Sequence, residues 1–268
     1  MLAMLIAYHM AYAENKRVGI LSLEMDATEN LKRFWTHLSN KNIGFTPGFY
    51  QHNFEDRFKE VWSDEETRKN FDQVEGGLLR NIPVFYLKPK DINVNEMKKY
   101  FSLFKEKYKC DVILLDHLLL VTDNKEERLI VKDISNFMKT FAAQNNIITI
   151  GVSQMNRGAD INKLDNVNTV DEMSGGRSIE QAASQILSIS QLSKDKLTSK
   201  NNPMLNISID PTVRKMTLLK SRHSKSNTSF YVNFLGDQST FKQIMPDNWD
   251  DVVTSNYKKS FIYSEFDG

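Results

Sequence analysis

Two apolar runs dominate the hydropathy pattern, and each ends in a polar pair. Val112-Ile113-Leu114-Leu115 stops at Asp116-His117, and Ile147 to Val152 stops at Ser153-Gln154. β-Branched residues and Leu in unbroken series, without polar alternation, describe strands covered on both faces, and such strands belong to parallel sheets. Between them, residues 127–145 repeat apolar side chains at helical spacing through Ile130, Ile134, Phe137, Met138 and Phe141. Strand, helix, strand in that order predicts right-handed crossovers in one sheet. Ligands of open α/β sheets bind beyond the carboxyl ends of the strands, so both runs deliver polar side chains where a nucleotide would lie.

The preceding residues extend the pattern. Met1 to Ala13 reads as a helix with Leu2, Leu5, Ile6 and Met10 inward, and Val18 to Leu23 as a short buried strand closing on Glu24. Asp26 is placed to cap a helix whose Leu31, Phe34, Trp35 and Leu38 follow the i, i+3, i+4, i+7 rule. Ile43 to Tyr50, with Pro47 and Gly48, breaks it, and charged helices of an outer layer fill Glu55 to Arg80. Val84 to Leu87 reads as a strand. Asn93 to Tyr108 reads as a helix packing on Met97, Tyr100, Phe104 and Tyr108, and Leu118 to Glu126 as a loop.

Past Gln154 the character changes. Arg157 to Arg177 is polar and without period, and a loop of that length inside a domain is usually functional or disordered. Ile186–Ile189, Leu205–Ile209, Met216–Leu219, Phe230–Phe234 and Phe241–Ile244 are short strands between turn-rich pieces. They predict antiparallel hairpins added to the sheet edge. The expected fold class is therefore α/β, a mainly parallel sheet flanked by helices with antiparallel hairpin strands on the C-terminal side. One domain covers residues 1–246, and a polar, acidic-ended tail follows at 247–268.

Composition narrows the picture. The chain has 268 residues, 40% of them hydrophobic, with 16 Phe, 9 Tyr and 3 Trp, which is ample for a sizeable core. A formal charge of +1 excludes a wholesale basic nucleic-acid binder while leaving room for a local basic patch. The single cysteine, Cys110, forms no intramolecular disulfide, which favours a reducing, intracellular setting, and its place before a buried strand reads as core. Met1 to Ala13 ends in Ala-Tyr-Ala, in the manner of a signal-peptide cleavage site, but it has no basic n-region and is too short to span a bilayer. A buried helix is the better reading, and no membrane partner is expected.

Several residues carry candidate chemistry. Asp116, at the tip of a buried strand, is where a carboxylate holds Mg²⁺ beside nucleotide phosphates, and it equally suits the start of a turn. Glu24, at a neighbouring strand end, suits either polarising a water for attack on a γ-phosphate or favouring a helix N-terminus next to Asp26. Gln154, neutral and able both to donate and to accept, suits either sensing that phosphate or closing a turn. Lys220 and Arg222 fall on one face by strand alternation, as two cations for a phosphate or as an ordinary basic hairpin tip.

Taken together, Gly19–Met25 (Gly-Ile-Leu-Ser-Leu-Glu-Met), Leu114–Leu118 (Leu-Leu-Asp-His-Leu), Gly151–Arg157 (Gly-Val-Ser-Gln-Met-Asn-Arg), Ser178–Gln181 (Ser-Ile-Glu-Gln) and Leu219–Arg222 (Leu-Lys-Ser-Arg) resemble a known family in order and spacing. That family is the RecA-like motor domain of DnaB-type replicative DNA helicases, and His117 after the aspartate is more like its bacteriophage primase-helicase branch. The resemblance covers Met1 to Ile244. It implies ATP and Mg²⁺ as cofactors, Glu24 as the carboxylate activating water, Asp116 as the Walker B ligand of Mg²⁺, and Gln154 as the link from γ-phosphate to DNA. Lys220 and Arg222 would reach into the ATP site of the neighbouring subunit, the arginine as a finger worth about 10³–10⁵ in rate in other NTPases. The Arg157–Arg177 loop would face a central channel, with Arg157, Gly175, Gly176 and Arg177 on single-stranded DNA. The implied partners are further copies in a hexameric ring, a primase, a loader or a polymerase, the implied translocation is 5′ to 3′, and the setting is the cytoplasm, the host's if phage-encoded.

There are two departures. The family usually has an Arg-Glu pair before its Ser-Gly, whereas here Glu172-Met-Ser-Gly-Gly-Arg177 puts the arginine after the glycines. Gly175 and Gly176 still offer backbone N–H groups to phosphate. Second, the 268 residues contain no G-x-x-x-x-G-K-[ST] phosphate loop. In the family that loop opens the helix that here begins at Met1, so the chain is expected to start about one helical turn beyond it and to hydrolyse ATP poorly by itself. The rival in another class is a non-catalytic RecA-like module that binds and regulates a helicase or recombinase ring. A recombinase is disfavoured by the Ser22–Met25 strand end and the Lys220-x-Arg222 hairpin.

Overall fold

The computed structural model describes residues 1–27, 29–30, 33–34, 37, 65, 69, 82–154, 176–191, 212–222, 224–236 and 239–244. The apolar runs pair as a four-stranded parallel sheet. Its strands are β1 (Val18–Ser22), β2 (Val84–Leu87), β3 (Val112–Asp116) and β4 (Ile148–Gly151), in the order β2-β1-β3-β4. Alternation then sorts the side chains. Val18, Ile20, Val112 and Leu114 pack with Met4, Leu5, Ala7, Tyr8 and Ala11 of α1 (Leu2–Ala13), forming one core. Leu21, Ile113 and Leu115 point to the other side, into α2 (Val94–Glu106) and α3 (Glu127–Asn145). Gly19 shares that second face because nothing larger fits: a Cβ there would lie 2.6 Å from ring carbons of Phe104.

Each helix follows from local signals. Asn93 caps α2 by accepting from Glu96 N at 3.0 Å, while Glu96 accepts in return from Asn93 N at 2.9 Å, which makes a capping box. α3 has the span its periodicity predicts, and Asn146 closes it in the left-handed region at φ 50°. Phe137 and Phe141 of α3 meet Phe101 of α2 edge-on at 5.4 and 5.7 Å. The expected helical face of α2 omits Phe101, which is fully buried. Leu118–Leu120, expected as loop, forms a 3₁₀ turn.

Two expectations about burial are corrected. In α1 the inward residues are Met4, Leu5, Ala7, Tyr8 and Ala11, whereas Ile6 is 40% exposed and Leu2 and Met10 are half-buried. A helix apolar on nearly every side has no polar stripe to orient it, and small Ala7 and Ala11 let it lie close on the sheet. β4 is not covered on both faces. It pairs only with β3 among the described residues, and Ile148 is 47% exposed, as befits an edge strand.

The last third is antiparallel as expected, with β5 (Gln185–Gln191), β6 (Val213–Ser221), β7 (Thr228–Leu235) and β8 (Thr240–Gln243) in consecutive order. Among the described residues they form a sheet of their own, not an extension of the parallel one. Ile179 of α4 (Gly176–Ala182), Ile186 and Leu219 join the α2–α3 core, and Phe241 packs against the α1 core. Phe34, 2% exposed, stacks on Tyr8 with ring centroids 4.3 Å apart. Its predicted helix partners Leu31, Trp35 and Leu38 lie outside the described residues, as do the break at 43–50, the strand at 205–209 and the tail at 247–268. Of the predicted outer layer, Glu65 and Lys69 are described as helical, with an exposed ion pair of 2.9 Å.

Candidate active site

The parallel sheet brings three polar side chains to one end. β1 ends at Ser22 and bends through 23–25, β3 ends at Asp116, and the chain after β4 keeps pairing for one more residue. Val152 N donates to the Leu115 carbonyl at 3.0 Å, and Leu118 N donates to the Val152 carbonyl at 2.8 Å. Glu24, Asp116 and Gln154 therefore follow the carboxyl ends of three adjacent strands. Glu24 and Gln154 are exposed and Asp116 is half-buried.

The electrostatics agree with that convergence. Burial pushes the Asp116 carboxyl above its ordinary 3.8, the amino group of Met1 opposes the shift, and the Glu24 carboxylate adds to it. Burial lowers the Met1 amine, while Asp116 and Glu24 raise it. The amino end of α1 is thus within electrostatic reach of both carboxylates. His117 follows Asp116 through a cis peptide and is 6% exposed. Among the described residues, its Nδ1 and the Ser153 hydroxyl are buried without a hydrogen-bond partner.

The bend that carries Glu24 is held from both sides. Leu23 N donates to the Asp116 carbonyl at 2.6 Å, joining the bend to β3. The Ser22 hydroxyl donates to the Met25 carbonyl at 2.9 Å and accepts from Met25 N at 3.2 Å. Tyr86 of β2 donates its phenol to the same carbonyl at 2.5 Å, and Asn30 Nδ2 donates to the Tyr86 oxygen at 2.8 Å. Asp26 caps the following helical turn, accepting from Glu29 N at 2.8 Å, as its position predicts. Asn30 and Tyr86 are not among the residues that sequence reasoning singles out, and Ser22 appears there within the Gly19–Met25 motif without a role of its own. The available signal is a polar residue inside an otherwise apolar pattern, Ser22 within β1 and the tyrosine within Val84–Leu87.

Among the described residues no group of three or more His, Cys, Asp or Glu could hold a metal. Mg²⁺ does not need one, since it is commonly held by one or two carboxylates, water and substrate phosphates. Half-buried Asp116 beside exposed Glu24 fits that donor set.

The basic pair stands elsewhere. Lys220 is half-buried near the end of β6, and its ammonium donates to the Glu180 carbonyl of α4. Arg222 lies past the end of β6 in an exposed turn, so strand alternation does not place it, and its backbone N–H donates to the Ser184 carbonyl at 3.1 Å. Both residues thereby fasten the hairpin to the α4–β5 junction. Gly176 is buried at the start of α4 and Arg177 is exposed, while Arg157 and Gly175 lie outside the described residues. No helix among the described residues is long and apolar enough to cross a membrane.

Parallel strands in this order, helices on both faces and carboxylates at adjacent strand ends define a RecA-like α/β domain. Within that class the chain belongs to the DnaB-like helicase C-terminal domain family, whose model matches residues 1–243. It is 27% identical over 194 residues to a probable plasmid replicative DNA helicase of Chlamydia muridarum (strain MoPn / Nigg), covering 71% of this chain and 40% of that protein. The corresponding Chlamydia trachomatis protein is 25% identical over the same length and shares. The chain therefore spans 40% of the curated relatives it matches. In fold it is similar to a solved ATPase domain, with a TM-score of 0.68 at 18% identity, over 91% of this chain and 79% of that one. It is also similar to a DnaB-like replicative helicase solved in a study of its interactions with primase, with a TM-score of 0.69 at 17% identity, over 91% and 54% of the two chains.

Proposed function

We propose that this chain is the ATP-driven motor part of a replicative DNA helicase that works as a hexameric ring and moves 5′ to 3′ on single-stranded DNA. The observation that carries this reading is the gathering of Glu24, Asp116 and Gln154 at the carboxyl ends of β1, β3 and β4, with the amino end of α1 within electrostatic reach of both carboxylates. Asp116 would hold Mg²⁺ with the ATP phosphates, and the ion supplies charge neutralisation at the transferring phosphoryl group. Glu24, exposed and close to Asp116, would orient and deprotonate the attacking water. Gln154 would hydrogen-bond the γ-phosphate and, through the residues after it, bias the 157–177 segment, whose Arg157, Gly175, Gly176 and Arg177 are assigned to the DNA backbone. Lys220 and Arg222 would serve the site of the adjacent subunit. Residues 1–246 form the motor, 247–268 a tail, and the assigned partners are single-stranded DNA, other copies, and a primase, loader or polymerase in the cytoplasm, the host's if the replicon is a phage.

The sequence contains no G-x-x-x-x-G-K-[ST] loop, so triphosphate binding in this reading depends on a loop supplied by another polypeptide segment. That observation also favours a second reading, a RecA-like module that binds and regulates a ring without hydrolysing ATP. One experiment separates them: ATP hydrolysis with single-stranded DNA, by the chain alone and mixed with a family member that carries the loop. Turnover stimulated in the mixture and lost with Arg222→Ala supports the motor. Absence of stimulation at every ratio sinks it and leaves the regulator.

A further inference from the structure

The bend 23–25 poses a physical problem that its hydrogen bonds answer. A glutamate acting on water must stand within about 0.5 Å of its productive place, and loops hold such positions less well than strands do. Glu24 is exposed and follows the last residue of β1, so burial of its own side chain does not fix it. Its flanking backbone, however, is tied on both sides. On one side Leu23 N is bonded to the Asp116 carbonyl at 2.6 Å. On the other, the Met25 carbonyl accepts two hydroxyls, Ser22 at 2.9 Å and Tyr86 at 2.5 Å.

Behind Tyr86 the chain of donors continues. Asn30, 3% exposed, gives one amide hydrogen to the Tyr86 oxygen at 2.8 Å and another to the Asp26 carbonyl at 3.2 Å. The donors run in one direction, from Asn30 to Tyr86 to Met25. A buried amide and a phenol are expensive in a place that Leu and Phe would fill, and core packing alone does not call for them. Tyr86 aligns with Ile20 across β1 and β2, so the phenol is delivered by a rigid strand and not by a loop.

We infer that Tyr86, Asn30 and Ser22 are positioning residues that hold Glu24 in its place beside Asp116 by clamping the Met25 carbonyl. The inference rests on the reading of Glu24 as the water-activating carboxylate, and it adds Tyr86 and Asn30, which no motif of the chain marks.

The test uses the whole chain with Tyr86→Phe, which removes one oxygen and keeps the ring. Hydrogen exchange at the Leu23 and Met25 amides should quicken about tenfold, the factor set by losing one hydrogen bond, while the β3 amides keep their rates. Ser22→Ala, which removes the other hydroxyl on the same carbonyl, should repeat the result. In DNA-stimulated turnover, mixed with a loop-bearing subunit, Tyr86→Phe should lower kcat about tenfold at constant KM, and should have no further effect in a Glu24→Gln background. Unchanged exchange at Leu23 and Met25 overturns the clamp. Effects of Tyr86→Phe and Glu24→Gln that simply multiply overturn its link to Glu24. Unchanged turnover in Glu24→Gln alone overturns the catalytic reading of that residue, and the exchange data still decide whether the clamp exists.

Discussion

Ser22 and Asp116 are direct partners across β1 and β3, and the next backbone N–H, that of Leu23, donates to the Asp116 carbonyl at 2.6 Å. The ladder therefore runs one bond past β1 before the chain bends to Glu24. Two carboxylates far apart in the sequence are brought to one place by strand pairing alone. Their charges meet there, since Glu24 helps to hold the Asp116 carboxyl above its usual range.

The strand that carries Glu24 has no room at Gly19. An alanine methyl would sit 2.6 Å from two ring carbons of Phe104, and that ring is fully buried in α2. Gly19→Ala should destabilise the fold by about 1–3 kcal/mol, the usual penalty for overpacking a filled core. Urea denaturation measures it. Phe104→Leu, which trims the obstructing ring, should make the pair less costly than the sum of the two single changes, because the residues share one space.

The capping box at Asn93 gives a smaller effect of a different kind. Asn93→Ala removes the acceptor of Glu96 N and leaves that amide to water, at a loss of about 1 kcal/mol. Asn93→Asp keeps the acceptor and should hold the wild-type urea midpoint within experimental error. A loss in Asn93→Asp as large as in Asn93→Ala would show that the cap is not what stabilises α2.

How far the sequence makes this legible depends on whether the relevant force acts along the chain or across it. α3 is bounded correctly at both ends because Ile130, Ile134 and Met138 repeat on one buried face with charged residues between them. α1 is legible as a helix but not in its rotation, since a helix with hardly a polar residue has no face to read. The edge position of β4 is hidden because Ile147–Ile150 looks the same at an edge as at a centre. The antiparallel strands are legible one by one. That β5–β8 make a separate sheet is not, because pairing partners leave no mark on a short strand. Glu24, Asp116 and Gln154 are readable as strand-end residues, whereas Tyr86 and Asn30 act on Met25 across 61 residues and through one another.

Cys110 supplies the pH dependence. It is fully buried, and burial pushes its thiol up to about 12 from 9.0, against the pull of the Arg17 guanidinium. In the unfolded chain the thiol ionises near its ordinary value, so the unfolded state loses its proton first as pH rises. The contribution to stability is therefore whole below pH 9.0 and is lost progressively towards about 12. The urea midpoint should decline once pH passes 9.0, and Cys110→Ala should decline less over the same range. Thiol labelling should require unfolding.

Lys220 and Arg222, two residues apart, should differ in what their side chains contribute to stability. The Lys220 ammonium donates to the Glu180 carbonyl at the C-terminal part of α4, a site where a cation also meets the helix dipole. Lys220→Ala should therefore lower stability, by about 1 kcal/mol for one partly solvated charge-assisted hydrogen bond. Arg222 anchors the turn through its backbone N–H, which a substitution retains, and its side chain is exposed. Arg222→Ala should leave the urea midpoint within about 0.5 kcal/mol of wild type. If it is a finger for the adjacent subunit, the same change should cut stimulated turnover in a mixed ring by about 10³-fold or more, and Arg222→Lys should not restore it, because an ammonium lacks the planar fork. Loss of stability in Arg222→Ala with proportionate loss of turnover would instead make it one more tie at the α4–β5 junction.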